Sequence, residues 1–491
     1  MRSSGVLMHI SSFSGRYGIG KMGKEAYEFV DWLKKAGQHY WQILPLSPTS
    51  YGDSPYQSFS IYAGNPYFID LEALEEEGLL KGDEYKNIEW TRETEYVDYS
   101  IIYKHISDVL RIAFRRFKGG EAYDKFMKEN KHWLESYSLF TALKDENGGK
   151  PWCEWKWDLV LCRKFAVDDA KERLSNEMKF CAFVQFKFFE QWTKLKKYAN
   201  DNGIEIIGDI PIYVAADSVD VWENPELFVL DEDKNPIEVA GCPPDAYAVT
   251  GQLWGNPLYD WEVMKKDGYK WWINRIKFAS TLYDVIRIDH FRGFDTYYAI
   301  PFGDETAENG EWKKACGIEL FECVKKELGD IRIIAEDLGF ITESVRELLD
   351  KSGFPGMKML QFAFDPSAKG EYLPCNFKTT NCVAYTATHD SDTVKGWFDS
   401  CYDCDKDFIK RYIGFSDNSD APFALVRAAW SSIADTAITQ LQDILELGSE
   451  GRMNVPSTIG LNWRWRVKPN SLTDELAMRL REVTQTYNRI V

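Results

Sequence analysis

YDVIRIDHF, residues 283–291, is a short apolar run that ends in charged groups. Its β-branched residues Val285, Ile286 and Ile288 favour a strand that is buried in a parallel sheet. The parallel strands of a barrel present their C-terminal ends around one mouth, where barrel enzymes have their active sites. We therefore expect Asp289, at the end of this run, to face such a mouth.

Three further apolar runs end in acids in the same way, and acids that are far apart in sequence would converge if all four runs were barrel strands: Ile207-Gly208-Asp209, Ile334-Ala335-Glu336-Asp337 and Ala387-Thr388-His389-Asp390. The competing interpretation is that the acids cap the helices that follow, which suits Asp209 and Asp337 equally well. Asp289, Glu336 and Asp390 each lie beside another polar or ionisable residue, which favours a functional role.

Eight strand candidates can be recognised along the chain: Val6–Ile10, His39–Leu46, Ile204–Val214, Tyr283–Phe291, Ile331–Leu338, Met359–Phe364, Cys382–Asp390 and Ala437–Asp443. Helical patterns separate several of them: Met22–Gly37, Lys179–Asn202, Gly268–Leu282 and a helix that begins at Thr342 and stops at Gly353. Repeated βα units predict the α/β class and a (β/α)8 TIM barrel. An open, doubly wound sheet is the alternative, although no glycine-rich phosphate loop follows the first strand.

The spacing of the strands predicts inserted, largely helical subdomains. The distance from Leu46 to Ile204 is far too long for one loop and one helix. We expect this division: 1–46, first part of the barrel; 47–178, inserted subdomains between strands 2 and 3; 179–214, barrel; 215–262, a smaller insertion with a substrate loop; 263–491, the remainder of the barrel.

Composition excludes several classes of protein. The 491 residues carry 59 Lys and Arg against 77 Asp and Glu, a formal net charge of −18, which argues against nucleic acid and membrane partners. No apolar run approaches the ~18 residues of a membrane span, and the first residues, MRSSGVLMHI, do not resemble an export signal. We therefore expect a cytoplasmic protein whose ten cysteines are free thiols.

The acids suggest carbohydrate chemistry rather than metal chemistry. Arg287 and Asp289 point to the same side of a strand, and the guanidinium should keep the carboxylate ionised, as a nucleophile requires. Glu336 ends an apolar strand, where desolvation should raise its pKa, as a general acid requires. Two carboxyl groups tuned in opposite directions cleave glycosidic bonds, with retention at ~5–5.5 Å separation and inversion at ~6.5–9.5 Å. A structural ion pair remains the alternative for Arg287 and Asp289.

His290 and His389 adjoin these acids and raise the possibility of a metal hydrolase. Adjacent strand residues face opposite sides, however, and the chain has no helical His-x-x-x-His pattern. The single CxxC, Cys401–Cys404, has no second ligand pair nearby. We expect no metal and no cofactor. Two loops, Ser47–Asn65 and Gly241–Asp260, mix turn residues with aromatic and amide side chains, which favours sugar binding.

Nine ordered motifs extend along most of the chain: Tyr17–Gly20 (YGIG), Gly52–Ser58 (GDSPYQS), Ala63–Tyr67 (AGNPY), Gly208–Tyr213 (GDIPIY), Thr250–Pro257 (TGQLWGNP), Arg287–Gly293 (RIDHFRG), Ala335–Gly339 (AEDLG), Thr388–Asp390 (THD) and Arg452–Pro456 (RMNVP). Through these motifs the sequence closely resembles the 4-alpha-glucanotransferase family of the alpha-amylase clan, known as amylomaltase or disproportionating enzyme, from about residue 11 to residue 466.

The resemblance implies a retaining transferase. It implies Asp289 as the nucleophile, Glu336 as the acid/base and Asp390 as the transition-state stabiliser. The implied substrate contacts are Tyr51, Ser54, Asp245, Gln252, Trp254, Arg287, His389 and Asn462. The implied partners are a 1,4-α-glucan donor and an acceptor, such as maltooligosaccharides, amylose or glucose, bound by a monomer or a homodimer.

The sequence departs from the commoner family pattern at Ala246, in the second loop, and at Ser391. Neither departure touches the three carboxyl groups. Two rival hypotheses stay open: an α-glucan hydrolase of the same clan, and a catalytically inactive glucan-binding protein.

Overall fold

A computed structural model of the chain describes residues 2–244, 248–364 and 370–491, and the side chain of Tyr51 lies outside this description. The described residues form twelve strands: β1 (Ser3–Leu7), β2 (Tyr40–Gln42), β3 (Glu205–Ile210), β4 (Glu238–Cys242), β5 (Gln252–Pro257), β6 (Val285–Ile288), β7 (Thr296–Pro301), β8 (Glu311–Lys314), β9 (Ile333–Ala335), β10 (Gly356–Met359), β11 (Cys382–Tyr385) and β12 (Thr436–Gln440).

The same residues form nineteen α-helices: α1 (Lys24–Lys35), α2 (Leu71–Glu76), α3 (Tyr99–Arg116), α4 (Glu121–Glu129), α5 (Lys131–Glu146), α6 (Trp157–Val160), α7 (Lys164–Arg173), α8 (Ser175–Asp201), α9 (Val219–Glu223), α10 (Trp261–Lys266), α11 (Lys270–Leu282), α12 (Gly317–Leu328), α13 (Glu343–Ser352), α14 (Leu360–Ala363), α15 (Val394–Ser400), α16 (Asp403–Ile413), α17 (Ala421–Ser431), α18 (Leu441–Ile444) and α19 (Asp474–Thr486). No helix in the described ranges is both long and apolar enough to cross a membrane.

Eight of the strands close into a parallel barrel in the order β1-β12-β11-β10-β9-β6-β3-β2. Each strand pairs with both neighbours in parallel register, so all eight C-terminal ends lie at one mouth. The predicted (β/α)8 barrel is therefore confirmed, and the open-sheet alternative is wrong. In the barrel order, β3, β6 and β9 are consecutive, so the residues that end these strands are neighbours at the mouth.

Three barrel strands differ from their predicted positions. The eighth is Thr436–Gln440, and Leu441–Ile444 is the helix α18, where the pattern predicted the end of that strand. The first strand is Ser3–Leu7, and Ile10–Ser12 forms a 3-10 helix instead of the end of that strand. The sixth is Gly356–Met359, and Leu360–Ala363 is the helix α14, where the pattern predicted a strand. Leu360, Gln361 and Ala363 are all buried, and a short apolar run does not by itself distinguish a strand from a buried helix.

The four predicted helices are confirmed, and in one of them, α13, capping residues define both ends. The Thr342 side chain accepts a hydrogen bond from the backbone N–H of Val345 and begins α13. Gly353 ends that helix with φ +73°, a left-handed conformation that favours glycine. The patterns at Met22–Gly37, Lys179–Asn202 and Gly268–Leu282 correspond to α1, α8 and α11.

The segments between barrel strands carry additional structure. Helices α2 to α7 lie between β2 and β3, and several of them contact the long helix α8. A separate antiparallel sheet has the order β5-β4-β7-β8. Its strands β7 and β8 follow β6 in the chain, and the sequence analysis did not anticipate them. The domain limits given above remain predictions.

Candidate active site

The barrel ladder extends past the ends of the strands and fixes the backbone of two acids. The N–H of Asp289 donates to the carbonyl of Ile210 over 3.0 Å, and the N–H of Glu336 donates to the carbonyl of Ile288 over 3.0 Å. Asp289 directly follows β6 and Glu336 directly follows β9. The two carboxyl groups therefore emerge from adjacent strands at the mouth.

A buried guanidinium joins two of the acids. Arg287 Nη1 lies 2.5 Å from Asp209 Oδ2, and Arg287 Nη2 lies 2.9 Å from Asp289 Oδ1. The hydroxyl of Tyr56 also donates to Asp209 Oδ2, over 2.8 Å. The Asp209 and Arg287 side chains are 0% and 3% exposed, whereas Asp289 is 27% exposed. Of these three side chains, Asp289 is therefore the one that is open to the mouth of the barrel.

Burial gives Asp289 a higher pKa than the sequence predicted. Desolvation raises its pKa to about 6, the positive charge of Arg287 opposes the increase, and the carboxylates of Asp209 and Asp390 add to it. Arg287 lowers the pKa as predicted, but burial, which the sequence did not reveal, outweighs it. With a pKa of about 6 the carboxyl group is still mostly ionised at neutral pH.

Glu336 is arranged to retain its proton. Burial raises its pKa to about 8, and the negative charge of Asp289 contributes to the increase. Its two oxygens accept hydrogen bonds from the backbone N–H groups of His290 (2.7 Å) and Leu338 (2.9 Å), which hold the carboxyl group in one orientation. The predicted desolvation of a carboxyl group at the end of an apolar strand is confirmed.

Asp390 is the most acidic of the three predicted carboxyl groups. Burial would raise its pKa, but His389 and the side-chain amide of Asn454 outweigh burial and lower it below the ordinary value. Asn454 Nδ2 donates to Asp390 Oδ1 over 2.7 Å, and His389 Nε2 lies 3.1 Å from Oδ2. The carboxylate is 44% exposed, so part of it remains open to a ligand.

An aromatic wall adjoins Asp390. The His389 ring stacks on Tyr56 with centroids 5.0 Å apart and an interplanar angle of 17°. The Trp463 ring contacts both, at 5.7 Å from Tyr56 and 5.9 Å from His389. Through Tyr56 this wall is connected to Asp209 and so to Arg287. His389 and Trp463 are buried and only Tyr56 is partly exposed, so Tyr56 is the ring of this wall that presents an apolar face beside the carboxylates, as a sugar ring requires.

Residues 8–473 match the family model described as 4-alpha-glucanotransferase. The chain belongs to the 4-alpha-glucanotransferase family.

Curated relatives of this family align along nearly their whole length. A 4-alpha-glucanotransferase of Clostridium butyricum is 48% identical over 98% of this chain and 100% of its own, and one of Thermus thermophilus is 44% identical over 100% and 99%. Among solved structures, an amylomaltase of Streptococcus agalactiae in complex with acarbose has a TM-score of 0.97 and 43% identity, and covers 100% of both chains.

Two predicted contacts of the family pattern meet near Glu336. Trp254 Nε1 donates to Gln252 Oε1 over 3.1 Å, and both residues lie on β5. The Trp254 ring meets the His290 ring edge to face at 4.8 Å, and the backbone N–H of His290 holds Glu336. The second predicted loop is thereby connected to the acid at the end of β9.

The other predicted substrate contacts either bind backbone groups of loops or lie outside the described residues. The hydroxyl of Ser54 accepts from the backbone N–H of Tyr56 over 3.2 Å, so Ser54 supports the Tyr56 loop. The amide of Asn462 is occupied by backbone groups of Val455 and Thr458 and organises that turn. Asp245 and the Tyr51 side chain lie outside the described residues. These substrate contacts remain predictions.

The sequence analysis did not single out three side chains that the structure brings to the site, namely Tyr56, Asn454 and Trp463. Tyr56 lies within GDSPYQS and Asn454 within RMNVP, two of the motifs that carry the family resemblance. A buried carboxylate needs hydrogen-bond donors, so the polar side chains of these motifs are the candidates to supply them.

Arg287→Lys tests whether one guanidinium must serve both acids. A lysine ammonium keeps the charge but lacks the planar fork that reaches Asp209 and Asp289 together, so we expect kcat/KM for glucan transfer to fall by about 10²-fold or more. Arg332→Lys is the matched control, because Arg332 pairs with Glu205 at an exposed position. Equal activity of the two variants would contradict this role for Arg287.

Proposed function

We propose that the chain transfers a segment of a 1,4-α-glucan to the 4-hydroxyl of another glucan or of glucose, with retention, through a covalent glucosyl-enzyme. The observation that carries the proposal is the pair Asp289 and Glu336, on adjacent strands, with pKa values of about 6 and about 8. At neutral pH one group is charged and the other holds a proton, which is the state that retaining cleavage requires. Membership of the family supports the same reaction.

In the first step, Glu336 gives its proton to the glycosidic oxygen while Asp289 Oδ attacks the anomeric carbon. The bond to the leaving glucan breaks, and a glucosyl ester of Asp289 forms. In the second step, Glu336, now ionised, takes the proton of the acceptor's 4-hydroxyl. The acceptor oxygen attacks the anomeric carbon and displaces Asp289, so both carboxyl groups return to their initial state.

Asp390 acts without transferring a proton. Its lowered pKa keeps it charged throughout the cycle, and its exposed part accepts hydrogen bonds from ring hydroxyls of the reacting sugar. A fixed negative charge beside the sugar also stabilises the positive charge that develops on the ring. His389 and Asn454 hold the carboxylate for this purpose.

Transfer competes with hydrolysis, because water can take the place of the acceptor. Transfer prevails when the acceptor is held in position and water is excluded, since positioning is worth several kcal/mol. The partly exposed rings of Tyr56 and Trp254 are the surfaces that we assign to glucan binding. A simple α-glucan hydrolase is the alternative that this assignment opposes.

The cytoplasm is the compartment that we propose for this chain. Its ten cysteines, Cys401 and Cys404 among them, are free thiols, which suits a reducing compartment. A monomer or a homodimer stays the prediction for its assembly.

Incubation with maltotriose tests the function. Transfer should yield glucose together with longer maltooligosaccharides, while the number of reducing ends stays nearly constant because each bond broken is replaced by a new one. Chromatography of the products and a reducing-end assay measure the two quantities in one sample. A steady rise of reducing ends would identify a hydrolase, and no reaction would identify a binding protein.

Asp289→Asn tests the nucleophile. The amide cannot form the glucosyl ester, so we expect turnover to fall by at least about 10³-fold while the thermal unfolding temperature changes little. The control is Asp201→Asn, at the exposed C-terminal end of α8 and so at the opposite end of the barrel, with a side chain 59% exposed. Substantial turnover by the Asp289 variant would remove this residue as the nucleophile.

The pH dependence of kcat/KM should be bell-shaped. Asp289 must be ionised, so activity rises with pH through about 6, and Glu336 must be protonated, so activity falls as pH rises through about 8. Because the two groups interact, the limbs report the pair rather than either residue alone. Circular dichroism over the same range controls for unfolding. A profile that stays flat from about pH 5 to about pH 9, one unit beyond each limb, would contradict the assignment.

A further inference from the structure

The loop that joins β11 to α15 carries His389 and Asp390, and one buried carboxyl group binds both of its ends. At the first end, the hydroxyl of Thr386 donates to Asp443 Oδ2 over 2.8 Å. At the second end, the backbone N–H of Val394 donates to Asp443 Oδ1 over 2.7 Å. Asp443 is 0% exposed and lies in α18, directly after β12, the barrel neighbour of β11.

The carboxyl group of Asp443 has a donor on each oxygen and a further polar neighbour. Gln440 Nε2 donates to Oδ1 over 3.3 Å. The hydroxyls of Thr386 and Thr439 lie 2.9 Å apart and are joined by a further hydrogen bond. A buried network in which every member has its partners favours one geometry over its alternatives.

Hydrogen bonds also hold the part of the loop between these two ends. The N–H of Ser391 donates to the carbonyl of Thr388 over 3.0 Å and closes a turn around Asp390. The carbonyl of Asp392 accepts from Gln361 Nε2 over 2.8 Å, and its carboxylate accepts from the Ser449 hydroxyl over 2.7 Å. The turn is therefore closed by its own hydrogen bond, and the residue that links it to the second end is anchored to α14 and to Ser449.

We infer that Asp443 is a positioning residue for glucan transfer, which holds both ends of the Thr386–Val394 loop and so sets where His389 and Asp390 meet the reacting sugar. The inference rests on the proposed function, which gives Asp390 its role. Asp443 acts through the backbone of the loop and not by contact with the sugar. A displacement of about 1 Å at a reacting group can lower a rate about 10²-fold.

Two substitutions at the same position separate geometry from charge. Asp443→Ala removes the hydrogen bonds that Asp443 makes to the two ends of the loop. We expect kcat for maltotriose to fall about 10²-fold, while KM changes by less than about threefold, because Asp390 is assigned to the transition state. In Asp443→Asn, the amide oxygen can accept from Val394 and the amide nitrogen can donate to Thr386. We expect this variant to retain most of the lost rate, within about tenfold of the unmodified chain.

A stability-matched control separates positioning from general weakening of the fold. Leu480→Ala truncates a fully buried side chain in α19, a helix that packs against α1 and α17, and should lower the unfolding temperature without lowering kcat well below that temperature. If Asp443→Ala does not fold, Thr386→Val replaces it, because that change removes the donor at one end only. We then expect a loss of kcat of about tenfold, again at nearly constant KM.

Three results would overturn the inference. They are a kcat of Asp443→Ala within about twofold of the unmodified chain, an equal loss in Leu480→Ala at a matched unfolding temperature, and no rescue by Asp443→Asn. Thr386→Val with unchanged kcat would have the same meaning where the alanine variant does not fold. If the unmodified chain gives neither glucose nor longer oligosaccharides from maltotriose, the proposed function has failed instead, so the two failures are distinguishable.

Discussion

One guanidinium among four acidic side chains is the constraint on which the site depends. Arg287 contacts Asp209 and Asp289, and although burial lowers the pKa of Arg287, these two carboxylates raise it well above its ordinary value. Asp390 is stabilised by His389 and Asn454 instead. Glu336 is buried, faces the charge of Asp289 and accepts from two backbone N–H groups, so it is the group that keeps a proton. The difference in protonation follows from which carboxyl group has a cation or a side-chain donor beside it.

The barrel order explains how three members of this set reach their places and why the fourth needs additional support. Asp209, Arg287 with Asp289, and Glu336 come from β3, β6 and β9, which are consecutive strands, so the ladder itself sets their spacing. Asp390 comes from beyond β11, with β10 between β11 and β9, and it lies on a loop instead of a strand end. Loops are more mobile than the elements that they join. The hydrogen bonds from Asn454 and the two loop ends held by Asp443 supply the rigidity that a ladder gives elsewhere.

The sequence predicted the parts of this structure that depend on local pattern. Apolar runs ending in acids identified the barrel and its mouth, and Thr342 and Gly353 marked the ends of α13. The strand predicted at Met359–Phe364 failed because burial on all sides makes a short helix and a strand look alike. The pKa of Asp289 was misjudged because spacing reveals the partner Arg287 but not the depth of burial. Tyr56, Asn454 and Trp463 are long-range partners, and no local pattern connects them to the acids that they contact.

The exposure of the barrel mouth bears on whether transfer or hydrolysis prevails under the proposed mechanism. Asp289 and Asp390 are 27% and 44% exposed, so the mouth is open to water when no glucan is bound. Exclusion of water must therefore come from the glucan itself as it covers the aromatic rings. Trp254 contacts His290, whose backbone N–H holds Glu336. An acceptor that packs on Trp254 thus lies beside the group that must take its proton, whereas water gains nothing from that ring, and this difference favours the acceptor.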